Sequence, residues 1–257
     1  MPPIRQLTVV GFLLCCLVST PRPQSQTVPV AAQGATTEEL VAPAAPSAQA
    51  PAIVQHNACI GDSTSSLLCT LGAPVSDGDV LLVNVAENVA GDTLTISDNH
   101  SQTWKRIGCG INIYRSHQCV WYVQNAKEGI TTLQVASSHP MHAFHISLVE
   151  VSGVAATDVV DGSATKTAFR GGSAVNCGSV TTRAERDIVL CFAGDNANDG
   201  LLSVAPSISI IRTSGSSPIG EASAIEYLNA ATPGTYVPQW NTNVNNLGMV
   251  TVALKPQ

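Results

Sequence analysis

Six cysteines in the body of this chain fall into three close pairs, Cys59 with Cys69, Cys109 with Cys119 and Cys177 with Cys191. Six cysteines admit fifteen connectivities. Proximity favours the three local pairs, because such spacings suit a hairpin or two neighbouring strands; the sequence itself leaves the connectivity open. Each bridge would add about 2–3 kcal/mol by restricting the unfolded chain. Zinc is disfavoured, since structural sites want Cys-x2-4-Cys knuckles and the body has none. A redox Cys-x-x-Cys pair is also missing from it.

The other two cysteines, Cys15 and Cys16, lie in an uncharged run, Leu7 to Thr20, that follows Arg5 and precedes Pro21 and Pro23. The run has the length of a signal-peptide core and is short for a bilayer span. Residues 1–20 therefore read as an export signal, with cleavage as late as about residue 32 near Val30-Ala31-Ala32. Leu14 stands where a lipoprotein signal wants a small residue. Residues 21–52 are rich in Pro, Ala, Ser and Gln and lack aromatics. They read as a disordered tether, too apolar-poor to offset its ordering entropy. The signal and the disulfides together predict a secreted or cell-surface protein. No later apolar run reaches membrane-spanning length, so no span is expected in the mature chain.

Residues 53–257 remain as the folded body. Arg5, Arg22, Glu38 and Glu39 precede it, so it keeps ten of the twelve cations and sixteen of the eighteen acids. That acidic, charge-poor balance argues against nucleic acid, whose phosphates need clustered cations. Short runs rich in Val, Ile and Thr recur, separated by Gly, Asn, Asp, Ser and Pro. They are Val80–Val85, Cys119–Val123, Ile130–Val135, His145–Val151, Asp187–Phe192, Ser207–Ile211 and Met249–Leu254. No helical apolar period persists over three turns. The expectation is an all-β fold, an antiparallel two-sheet β-sandwich of jelly-roll type.

The body also repeats. Cys69 stands ten residues before Asp79 and its strand, and Cys177 ten residues before Asp187 and its strand. Tyr122 to Gly129 matches Tyr227 to Gly234. The sandwich is thus expected to consist of two quasi-repeated halves, near 67–151 and 175–254, in preference to two tandem domains. The join, Asp158 to Ser173, carries Val159, Val160 and Phe169 and reads as packed.

Several residues are candidates for chemistry. Glu150 and Glu226 sit within strands, and a facing carboxylate pair about 5 to 9.5 Å apart could hydrolyse a glycoside. His139, His142 and His145 could gather around a metal only through a loop at Pro140, because positions 142 and 145 of one strand face opposite sides. Asp195 to Gly200 resembles the start of a calcium loop, but Ala197 takes a ligand position and Pro206 the place of the bidentate Glu. Calcium is the one cofactor weighed, and none is expected. No Gly-x-Ser-x-Gly elbow appears. Trp104 and Trp240 are the candidate ligand-binding aromatics, since exposed indoles stack on sugar rings. Trp121 is expected in the core. Asn99-His100-Ser101 is a glycosylation sequon in a eukaryotic host.

At Ser97-Asp98-Asn99, Thr103-Trp104, Trp121-Tyr122, Asn125-Ala126 and Glu150-Val151-Ser152-Gly153, the chain resembles a loose group of mostly uncharacterised secreted bacterial β-sandwich modules. The likeness covers most of Val80 to Pro256. Val151 replaces the group's usual aromatic, and His100-Ser101 its Gly-Asn turn. The resemblance implies a jelly-roll-like surface or appended module and transfers no catalytic residues.

These readings converge on a secreted, non-catalytic β-sandwich module. Its expected partner is an extracellular glycan or a surface protein, or it assembles into an envelope structure by self-association through sheet edges. The alternative is a glycoside hydrolase-like enzyme using Glu150 and Glu226.

Overall fold

In the computed structural model the described residues are 49–87, 93–111, 117–141, 144–168, 175–195, 203–204, 209–211, 222–241 and 247–257. The segment read as an export signal, nearly all of the segment read as a tether, His142, Phe169 and the body of the calcium-like turn lie outside them. Residues Ala45–Gln257 form one compact unit. The described structure is all-β and antiparallel, with no helix among the described residues.

Numbered in chain order, the strands make two five-stranded sheets. The first runs β1 (Ala52–Gly61), β8 (Phe144–Ser152), β3 (Val80–Glu87), β6 (His117–Val123), β5 (Lys105–Ile111). The second runs β14 (Ser209–Ile211), β15 (Ala222–Ala230), β12 (Asp187–Asp195), β18 (Leu247–Leu254), β9 (Val160–Ala168). Smaller sheets are β2 (Thr64–Thr70), β7 (Thr132–Met141), β4 (Leu94–Asp98), then β10 (Val175–Asn176), β17 (Gln239–Asn241), β13 (Ser203–Val204), and the pair β11 (Val180–Thr182) with β16 (Gly234–Tyr236). All seven expected runs fall in or overlap a strand. The long polar strands β1 and β9 were not among them, since their Gln, Asn, Ser and Thr dilute the apolar alternation.

The two large sheets contribute to one buried apolar cluster. Val80, Leu82, Val120, Val149 and Val151 of the first meet Ile188, Leu190, Phe192, Ile225, Val250, Val252 and Leu254 of the second in one apolar cluster. Alternation sends the intervening residues the other way. Leu81, Val83 and Val85 of β3 pack with Leu133 and Val135 of β7, in a cluster that also holds Phe144, Ile146 and Leu148. In the second sheet Cys191, Ala193 and Ala224 pack with Trp240 and Val175. Strand β18 is therefore buried at every position, and β8 at all but its last. Each fully buried Val or Leu contributes about 1.5–3 kcal/mol, so the inter-sheet layer is a main source of stability.

Leu82 pairs with Tyr122 and Val149, and Leu190 with Tyr227 and Val252. Val80 pairs with Val151, and Ile188 with Leu254. A register shift falls in β1 between Ile53 and Gln55 and, on β18, between Ala253 and Leu254 against β9.

All three local disulfides are present. Cys109–Cys119 staples directly opposed residues of the β5–β6 hairpin, with Cα atoms 4.0 Å apart. Cys59–Cys69 joins β1 to β2 and so ties one sheet to another. Cys177–Cys191 anchors the segment between β10 and β11 onto β12. Three such bridges point to a non-reducing setting. No helix among the described residues is long and apolar enough to cross a membrane.

Where β5 crosses β18, two glycines let the backbones touch. A Cβ on Gly110 would lie 2.3 Å from Met249 N, and one on Gly248 2.9 Å from Gly110 O. Gly110→Ala should lower the midpoint of thermal unfolding, costing about 1–3 kcal/mol or more because backbone must move. Gly72→Ala, where the nearest atom would be 3.6 Å away, should be near neutral. Equal midpoints for the two variants would contradict the close crossing.

Candidate functional site

Edge strands end where side chains stop covering them, and an open cleft lies at such an edge. Among the described residues β4 pairs only with β7. Between β4 and β5 opens a cleft of about 820 Å³, lined by Thr93, Leu94, Trp104, Arg106, Ile111 and Trp121, with the Cys109–Cys119 bridge in its wall. Trp121 is 8% exposed and belongs to the core beneath. Trp104 is half-buried and packs against the same core.

A short turn fixes Trp104. Asp98 ends β4, and its carboxylate accepts the backbone N–H groups of His100 at 2.7 Å and Gln102 at 3.3 Å. It also accepts the Trp104 indole N–H at 2.8 Å. Ser101 turns with a positive φ of 54°. The Asp-turn thus presets the indole against the cleft. Asn99 bonds outward to Gly129 O, Thr131 N and Thr132 N, which holds this turn to the start of β7. Arg106 is exposed and takes part in no ion pair among the described residues.

The other expected site residues lie elsewhere. Trp240 is fully buried in the core beside Cys191, its indole N–H 3.3 Å from the sulfur. The candidacy of Trp240 as an exposed platform is corrected: residues of β10, β12, β15 and β18 and the Cys177–Cys191 disulfide pack with it. Glu150 and Glu226 are both fully buried and are not brought together. Glu150 shares the β8 face of Phe144, Ile146 and Leu148, and its oxygens accept Gln55 Nε2 and Ser76 N. Glu226 shares the β15 face of Ala224, in a different core. His139 is exposed on β7, while His145 is buried on the β8 face turned to the second sheet. Burial pushes His145 down to about 4, so it is neutral at pH 7.

Of the remaining buried carboxyls, sequence reasoning singled out Glu226 but not Asp79 or Asp187 as a site candidate. Glu226 Oε1 lies 3.2 Å from Cys177 Sγ. A disulfide sulfur carries no hydrogen, so the carboxyl must be the donor, and burial pushes Glu226 up to about 8. Cys177, Cys191 and Glu226 bring their ligand-type atoms within 4.8 Å of one another, but the sulfurs are spent on each other. Asp79, just before β3, is raised to about 7 by burial and by Glu150 beside it. Asp187, which opens β12, is raised to about 7 by burial and by Asp161. Asp161 also accepts the Arg183 backbone N–H.

Comparison of the chain with protein-family models, curated proteins and solved structures finds no match. The cleft must therefore be read from its own chemistry.

The buried acids set a pH dependence. Asp79, Asp187 and Glu226 keep protons that the unfolded chain releases near its ordinary values of 3.8 and 4.5. Their contribution is complete below about pH 4 and is lost as pH rises through 7 to 8. His145 acts oppositely, its contribution falling as pH drops from 6.5 towards 4. Between pH 6.5 and 8 the acids act unopposed, so the unfolding midpoint should be higher at pH 6.5 than at pH 8. Glu226→Gln, which retains a donor, should shrink that difference. A midpoint that rises from pH 6.5 to 8 would contradict these protonation states.

Proposed function

We propose that the protein is a secreted, non-catalytic module that binds an extracellular glycan in the β4–β5 cleft. The observation that carries the reading is the preset Trp104 indole beside an open cleft of about 820 Å³. Sugar rings present apolar C–H faces that stack on indoles, with hydroxyls left for polar groups at the rim. An aromatic already held in its bound orientation loses little freedom on binding. Secretion is supported by the leader-like start of the chain together with three disulfides. The burial and separation of Glu150 and Glu226 give the glycosidase alternative no comparable support.

The fold reading behind this is one jelly-roll-like two-sheet β-sandwich built from two quasi-repeated halves. It is supported by the strand order, since β1-β8-β3-β6-β5 and β9-β18-β12-β15-β14 are the same arrangement of successive strands. It is further supported by the order β2-β7-β4 beside β10-β17-β13 and β11-β16. On this reading the Tyr122/Tyr227 and Asp79/Asp187 matches are one register seen twice.

A glycan array probed with the full chain tests the function. Binding to at least one saccharide class is expected, and Trp104→Ala should weaken it roughly tenfold, the scale of one stacking platform. An array with no bound saccharide, or binding indifferent to Trp104→Ala in a variant with an unchanged unfolding midpoint, would overturn the reading.

A further inference from the structure

Resting on the glycan reading of the same cleft, we infer that its ligand is an acidic saccharide, with a uronate-type carboxylate seated on Arg106. Arg106 and Trp104 line one cleft, so a stacked ring would place its substituents near the guanidinium. Arginine presents a planar fork of donors that fits a carboxylate through two parallel bonds. Nothing described competes for it. Arg106 is exposed, has no ion pair among the described residues, and stands opposite Trp121 on β6.

Arg106 is one of twelve Lys and Arg in a chain whose formal net charge is −6. Its neighbourhood departs from that balance. Lys105 precedes Arg106, and with Lys127 it lines a smaller hollow of about 360 Å³ together with Gln102, Thr103 and Gln124. The acid nearest to Trp104 in these contacts, Asp98, is already spent. Two backbone N–H groups and the indole N–H turn towards its oxygens, which offsets its charge locally. The result is an aromatic platform beside a guanidinium that has no ion pair among the described residues, a complementarity that selects anionic ligands by differential affinity.

The test pairs one polymer in two charge states. Polygalacturonate and its methyl ester share a backbone and differ in carboxylate charge. Binding of each to the full chain is measured by titration calorimetry at low and high salt, for wild type, Arg106→Gln, Arg106→Lys and Trp104→Ala, with unfolding midpoints recorded for all. The inference expects polygalacturonate to bind at least tenfold more tightly than the ester. Arg106→Gln should abolish that preference, Arg106→Lys should keep part of it, and salt should weaken only the acidic polymer. Equal binding of both polymers, sensitive to Trp104→Ala and indifferent to Arg106→Gln, would overturn the acidic ligand and leave the glycan reading standing. No binding to either polymer, with an array that retains neutral saccharides through Trp104, would do the same. No binding to any saccharide would overturn both.

Discussion

Everything in this fold depends on one buried apolar cluster to which both large sheets contribute. Strands buried on one side only can alternate apolar with polar residues, but β8, β12 and β18 have no wet face. Every side chain on them must find a partner inside the protein. Valine, leucine and isoleucine do so by contact, at about 25 cal/mol per Å² removed from water. The polar exceptions must justify themselves individually. Glu226 stays protonated against a disulfide, Thr251 bonds to Cys177 O, and Ser147 meets Ser223 across the layer at 2.5 Å. The three bridges then act at the margins of this layer. They hold the smaller sheets and the hairpin in place, whereas the layer itself coheres by area.

The layer is not uniform along its length. At one end Val80, Val151, Ile188 and Leu254 make it dry. At the other stand Asn84, Gln118, His145, Ser147 and Ser223. Gln118 crosses into the space above Gly194, where any Cβ would collide with its amide. The side-chain polar atoms of Asn84, one atom of Gln118 and both ring nitrogens of His145 have no partner among the described residues. Unsatisfied buried groups cost about 1–3 kcal/mol each, so this end adds little adhesion. Its effect is on geometry. A purely apolar interface tolerates sliding, while a glutamine fitted over a glycine and a serine pair bonded across the gap admit one alignment of the sheets.

The strands with high Val and Ile content were legible in the sequence because each had turn residues at both ends and β-branched residues within. Strands β1 and β9 were not, since a Gln- or Thr-rich edge strand is held by its neighbour's ladder and carries little signal of its own. The disulfide pairs were legible from spacing. Which sheets they joined was not, because β1 and β2 are adjacent in sequence yet belong to different sheets. At the site, Trp104 could be singled out, and so could Asp98, from Ser97-Asp98-Asn99 followed by Thr103-Trp104. The bond between them needed the fold. Trp240 could not be placed from the sequence, since an indole serves equally as a sugar platform or as core, and only the fold shows it buried. The charge states of Asp79, Asp187 and Glu226 could not be read at all, since burial is a tertiary property.

The position of the cleft follows from the same packing. β5 belongs to the first large sheet through β6, and it also packs on β9 and β18 of the second. Committed on that side, it is drawn away from β4, which pairs only with β7 among the described residues. The gap between β4 and β5 is thus the geometric consequence of the close crossing at Gly110 and Gly248. A ligand site placed there borrows rigidity from the core on both walls without costing any buried contact. Trp104 is fixed by a turn that β4 itself terminates, and Arg106 rides on the strand that the crossing holds in place. Recognition at this rim would therefore be sensitive to changes at the glycine crossing, although no residue of that crossing except Gly110's own strand borders the cleft.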